Sequence, residues 1–74
     1  MTIEMKPVVS SNIAEVGHDG TSTMRVRFTN GTMYEYTNVP AGVYEDILNA
    51  ESVGGAFARL IKTAPKAYPY VKIS

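Results

Sequence analysis

Met24-Arg25-Val26-Arg27-Phe28-Thr29-Asn30-Gly31-Thr32-Met33-Tyr34-Glu35-Tyr36 reads as a β-hairpin. Apolar and polar residues alternate on either side of Asn30-Gly31, a dipeptide that tolerates the positive φ a tight turn demands. Two registers compete. A two-residue loop sets Val26 opposite Glu35 and puts a carboxylate among the core positions. A three-residue Thr29-Asn30-Gly31 loop sets Val26 opposite Tyr34, Met24 opposite Tyr36 and Arg25 opposite Glu35. The second matches apolar with apolar and pairs opposite charges across the strands, so it is the expected register. It turns Tyr34 and Tyr36 toward the core face, where a tyrosine ring either fills the core or stacks on a flat ligand.

Outward from the hairpin, Val8 to Val16 reads as an earlier strand, closed by the turn-forming Gly17-His18-Asp19-Gly20. After the hairpin, Pro40 suits the first position of a helix, where its missing N–H costs nothing. Val43, Tyr44, Ile47 and Leu48 recur at helical spacing. Ser52 is a good N-cap for a second helix carrying Val53, Ala56, Phe57, Leu60 and Ile61 and stopping at Ala64-Pro65. The tail from Lys66 to Ser74 can form a short edge strand or wrap the sheet, and Pro69 argues against a central strand. The expected fold class is α+β: a small antiparallel sheet of three to four strands followed by two short helices packed on one side, as one domain over 1–74 with its core at about 8–70.

Composition narrows the function classes. The chain has 74 residues, no cysteine and one histidine. It therefore offers neither disulfides nor a thiolate metal site, and His18 has no second histidine at ligand spacing. No apolar run approaches a membrane span, and no signal peptide opens the chain, so a soluble cytoplasmic protein is expected. The net charge of zero conceals an asymmetry: residues 1–51 carry three basic and seven acidic side chains, whereas 52–74 carry four basic and none acidic. Such a split marks either a phosphate-facing side or a helix and tail that are basic by composition alone.

Four groups of residues are candidate ligand contacts, and each has a structural alternative. Tyr34 and Tyr36 can stack on a base, or they are amphipathic core residues with hydroxyls at the rim. Ser52, Gly54 and Gly55 open a helix whose free N–H groups can hold an anion, or they are an N-cap and two packing glycines. Arg59, Lys62 and Tyr68, with Lys66 and Tyr70, interleave charge and rings in a way that can track phosphates, or they are a solvated helix face and a covering tail. Ser11 and Asn12, in a strand context, can bond backbone or ligand. No catalytic constellation accompanies them: His18 and Asp19 share a turn and nothing specifies a nucleophile. No metal or cofactor is expected.

The ordered set Ser10-Ser11-Asn12-Ile13, Val16-Gly17 with Asp19, Met24-x-Val26-x-Phe28 with Gly31, Tyr34-Glu35-Tyr36, Val39-Pro40, Tyr44, Ala50-Glu51-Ser52-Val53-Gly54 and Phe57 with Ile61 resembles the KTSC domain family, named after the C-terminal extension of some lysyl-tRNA synthetases. The match spans about residues 8–70. It departs at His18, where the family often has tyrosine, and at Ala64-Pro65. The resemblance implies a fold more than an activity. With the residues above, it leads to a non-enzymatic module that captures a nucleotide-like small molecule, as a phage counter-defence protein sequestering a nucleotide-derived immune signal would. The alternatives are a single-stranded RNA or tRNA binder, as the synthetase association implies, and a protein–protein adaptor using a sheet edge. A homodimer or higher homo-oligomer is compatible with so small a core.

Overall fold

The computed structural model describes residues 3–63 and 66–73. Five strands form one antiparallel sheet in sequential order: β1 (Met5–Pro7), β2 (Ile13–His18), β3 (Met24–Phe28), β4 (Met33–Tyr36) and β5 (Tyr70–Lys72). Between β4 and β5 lie α1 (Ala41–Leu48), α2 (Val53–Phe57) and a π-helical segment (Ala58–Lys62) that continues α2 directly. The class is α+β, with five strands where three to four are expected from sequence.

The hairpin has the three-residue-loop register: Met24 opposes Tyr36, Arg25 opposes Glu35 and Val26 opposes Tyr34. Gly31 takes φ 92°, the left-handed conformation that glycine adopts without a Cβ clash. The Phe28 and Thr32 backbones close the loop through a 2.8 Å bond from the Phe28 N–H to the Thr32 carbonyl.

The expected Val8–Val16 strand is corrected. β1 ends at Pro7 and β2 starts at Ile13, and the intervening chain turns at Ser11 and Asn12. The Ser10 hydroxyl accepts from the Asn12 and Ile13 N–H groups and so holds a serine turn where alternation alone suggests a continuous strand. Pro40 also lies one residue earlier than expected. It precedes the first helical residue, and its carbonyl accepts from the Val43 and Tyr44 N–H groups. The expected helix stop at Ala64-Pro65 lies outside the described residues.

The core lies between one sheet face and the helices. Ile13, Val16, Met24, Val26 and Tyr36 from the sheet pack with Val39, Tyr44, Ile47, Val53, Ala56, Phe57 and Ile61 in a single buried cluster. His18 belongs to this fabric. Its Nδ1 accepts from the Gly20 N–H at 2.9 Å, which leaves Nε2 to donate to the Val39 carbonyl at 2.6 Å, and the ring stacks on Tyr44. Both ring nitrogens are thus committed to structure, as a turn histidine requires. On the opposite sheet face Arg25 pairs with Glu35 at 2.9 Å and Arg27 with Glu15 at 3.1 Å.

Candidate ligand-binding cleft

The hairpin and β5 build an aromatic floor. Because cross-strand partners share a face, the pairing of Tyr36 with Tyr70 and of Tyr34 with Lys72 puts three tyrosine rings on the helix side of the sheet. Tyr34 is stacked on both neighbours, 5.6 Å from Tyr70 at 27° and 6.5 Å from Tyr36 at 24°, while Tyr36 and Tyr70 are 5.5 Å apart and tilted by 38°. Phe28 meets Tyr34 edge-on at 5.7 Å. Tyr36 is anchored from below by an edge contact with Phe57 and is only 4% exposed, whereas Tyr70 is 53% exposed. One ring therefore belongs to the core, one to the surface, and Tyr34 lies between them.

Against this floor the chain opens a cleft of about 450 Å³, lined by Phe28, Asn30, Thr32, Tyr34, Tyr36 and Tyr70 from the sheet and by Ile61, Lys62 and Tyr68 from the helix end and the following loop. This volume falls within the usual range for small-molecule sites. The tyrosine centroids are too close for a flat ring to slide between them, since stacking on both faces needs about 7 Å of clearance. Only the open flank of the cluster leaves a ring face free for a planar group. At the hairpin tip the Asn30 side-chain oxygen accepts from the Thr32 N–H and hydroxyl, which leaves the Asn30 amide nitrogen as a donor for other partners. No aspartate or glutamate lines the cleft.

Electrostatics keep the Tyr36 hydroxyl protonated. Burial, reinforced by the neighbouring Tyr70 and Tyr34 rings, pushes the Tyr36 phenol up to about 12. Its hydroxyl still meets solvent, because among the described residues no buried side-chain nitrogen or oxygen of a non-exposed residue lacks a partner and Tyr36 makes no hydrogen bond.

Of the residues singled out from sequence, Tyr34, Tyr36, Lys62 and Tyr68 come together in the cleft. Ser52, Gly54, Gly55, Arg59, Ser11 and Asn12 do not line it. The Ser52 hydroxyl caps its own helix by accepting from the Gly55 N–H at 3.1 Å. A Cβ on Gly54 would fall 2.7 Å from Asn12 Oδ1 and 2.9 Å from Ser10 Oγ, so this glycine seats α2 on the serine turn. The helix start is therefore a packing joint that stands apart from the tyrosine cleft. Arg59 is exposed on the π-helical segment, where its carbonyl accepts from the Thr63 hydroxyl.

Phe28, Asn30, Thr32 and Ile61 also line the cleft, although nothing in the sequence singles them out as ligand contacts. Tyr70, grouped from sequence with the basic tail, does line it, because β5 pairs with β4 and sets Tyr70 beside Tyr36. Among the described residues no cluster of histidine, cysteine or carboxylate side chains could hold a metal, and no helix is long and apolar enough to cross a membrane.

Fold and cleft together define a small α+β module that offers an aromatic surface on one sheet face. The chain belongs to the KTSC domain family, whose model matches residues 9–64. It is 41% identical over 59 residues to a protein of Tsukamurella paurometabola, covering 78% of this chain and 88% of that one. A stretch of 42 residues, 57% of this chain, is 45% identical to part of a lysine–tRNA ligase of Nostoc punctiforme, of which it spans 8%. Among solved structures, a KTSC domain protein from Yersinia pestis superposes with a TM-score of 0.86 at 28% identity, covering 99% of this chain and 100% of that one.

Proposed function

We propose that this chain is a non-enzymatic binding module that captures a nucleotide-like small molecule in the tyrosine cleft. The observation that carries this reading is the floor on which Tyr34 stacks with both Tyr36 and Tyr70, facing Lys62 and Tyr68 across a cleft without acids. Rings stack on a flat base whatever its identity, with about 1–3 kcal/mol gained per base. Lys62 favours a ligand carrying negative charge. Such a module acts by occupancy, holding its ligand away from other receptors.

A thermal-shift panel of nucleosides, nucleotides and ADP-ribose derivatives tests it, since a ligand of the folded state stabilises by about 2.7 kcal/mol at a hundredfold excess over Kd. A saturable rise in Tm that is lost in Tyr34→Ala supports the reading. A panel without any shift removes it.

RNA binding is a second reading, favoured by the similarity to part of a lysine–tRNA ligase. It requires affinity for single strands that falls steeply with salt as counterions are released.

A further inference from the structure

The sheet sorts the charges of this protein. Arg25 and Arg27 are neutralised by Glu35 and Glu15 on the face away from the helices. The four cations of the C-terminal third, Arg59, Lys62, Lys66 and Lys72, make no ion pair among the described residues. One of them lines the cleft and a second stands beside it without lining it. Lys62 lines it from the helix side. Lys72 is the cross-strand partner of Tyr34, so it stands on the helix side of the sheet, next to Tyr34 and two residues beyond Tyr70. The aromatic end of the cleft is Tyr36 and Tyr70. Its other end is the hairpin tip, where Asn30 keeps amide donors available.

Resting on the reading of the cleft as a nucleotide site, we infer that the ligand's phosphates bind between Lys62 and Lys72 at the hairpin-tip side of the cleft, while its base stacks at the Tyr34–Tyr70 flank. The ligand class is a nucleoside phosphate with a terminal, doubly charged phosphate. Two ammonium groups that make no ion pair among the described residues suit a dianion better than a single phosphodiester, and charge-assisted contacts are the strong ones. A neutral nucleoside leaves both lysines without a partner. The paired arginines take no part, because a phosphate would have to reach them through the sheet.

Calorimetric titration of the four ribonucleosides and their 5′-diphosphates into the wild-type chain and into the Lys62→Gln/Lys72→Gln and Arg27→Gln variants tests this. At least one diphosphate is expected to bind tenfold or more tighter than its nucleoside, about the worth of one charged contact. The preference should collapse in the double lysine variant, whose substitutions are both exposed and leave the fold in place, and persist in Arg27→Gln. Equal affinity for nucleoside and diphosphate, a preference that survives the loss of both lysines, or one lost in Arg27→Gln overturns the phosphate site while leaving a base-binding cleft. Absence of binding by all eight compounds overturns the nucleotide reading together with it.

Discussion

The Tyr34 and Tyr70 rings, carried by neighbouring strands and 36 residues apart in the sequence, lie 5.6 Å from each other at an interplanar angle of 27°. Neither strand alone makes that surface. The hairpin supplies one half, and the other arrives only after the chain has passed through both helices and returned antiparallel to β4.

The three tyrosines should therefore separate stability from binding. Tyr36 is buried against Phe57, so Tyr36→Ala should cost about 3 kcal/mol in denaturant unfolding, in the range of large aromatic truncations. Tyr70 is half exposed, and Tyr70→Ala should change stability by no more than about 1 kcal/mol while weakening nucleotide affinity several-fold. Equal losses of stability in both variants would place Tyr70 in the core.

Gly17 limits what the sheet can accept. A Cβ there would lie 2.7 Å from the Glu4 carbonyl oxygen, 2.7 Å from Ile3 Cγ2 and 2.8 Å from Met5 Sδ. Backbone cannot swing aside as a side-chain end can, so Gly17→Ala should displace β1 and destabilise the fold by about 1–3 kcal/mol. Amide exchange should show protection lost first at Val8, whose N–H donates to the Ala14 carbonyl where the chain leaves β1. Unchanged protection there would show that β1 tolerates the methyl group.

Alkaline pH should destabilise the protein through its buried phenols. The Tyr36 phenol is raised from 10.0 to about 12, and burial, helped by Glu4, raises Tyr44 as well. A raised pKa means that the folded state holds the proton more tightly than the unfolded chain. The associated stability is complete below about pH 10 and is lost as the pH climbs through about 12. Phenolate absorbance should show a step near pH 12 that disappears in Tyr36→Phe, and the same variant should flatten the alkaline fall in Tm. An unaltered fall in Tyr36→Phe would contradict this.

What the sequence could disclose follows from how local each signal is. The hairpin register was legible because only one loop length matches Val26 with Tyr34 and Arg25 with Glu35, and the structure has that pairing. β1 was not, since Met5-Lys6-Pro7 shows no alternation to distinguish it from a disordered start; at the sheet edge Pro7 needs no ladder partner on its open side. Ser10 broke a strand that alternation made continuous, because its hydroxyl satisfies two backbone N–H groups by itself. The helix start resembled an anion site in one dimension. In three, Ser52 and the Ser10–Asn12 turn already occupy the space above Gly54 and Gly55. Tyr68 and Tyr70 reach the cleft only because β5 returns beside β4, a long-range pairing that no local pattern encodes.

Ser52 gives the converse test. Ser52→Ala removes the cap on the Gly55 N–H and should lower stability by about 1 kcal/mol without altering nucleotide affinity. A large loss of affinity at unchanged stability would return the helix start to the site.

The most direct measurement is a nuclear magnetic resonance titration of isotope-labelled protein with a nucleoside 5′-diphosphate, followed at both amide and aromatic ring signals. Signals of Tyr34, Tyr70, Lys62 and Tyr68 should move together and saturate while those of Gly54 and Gly55 stay still. Saturable movement confined to Ser52–Gly55, or no saturable movement with any of the four common diphosphates, would contradict the tyrosine cleft as the binding site.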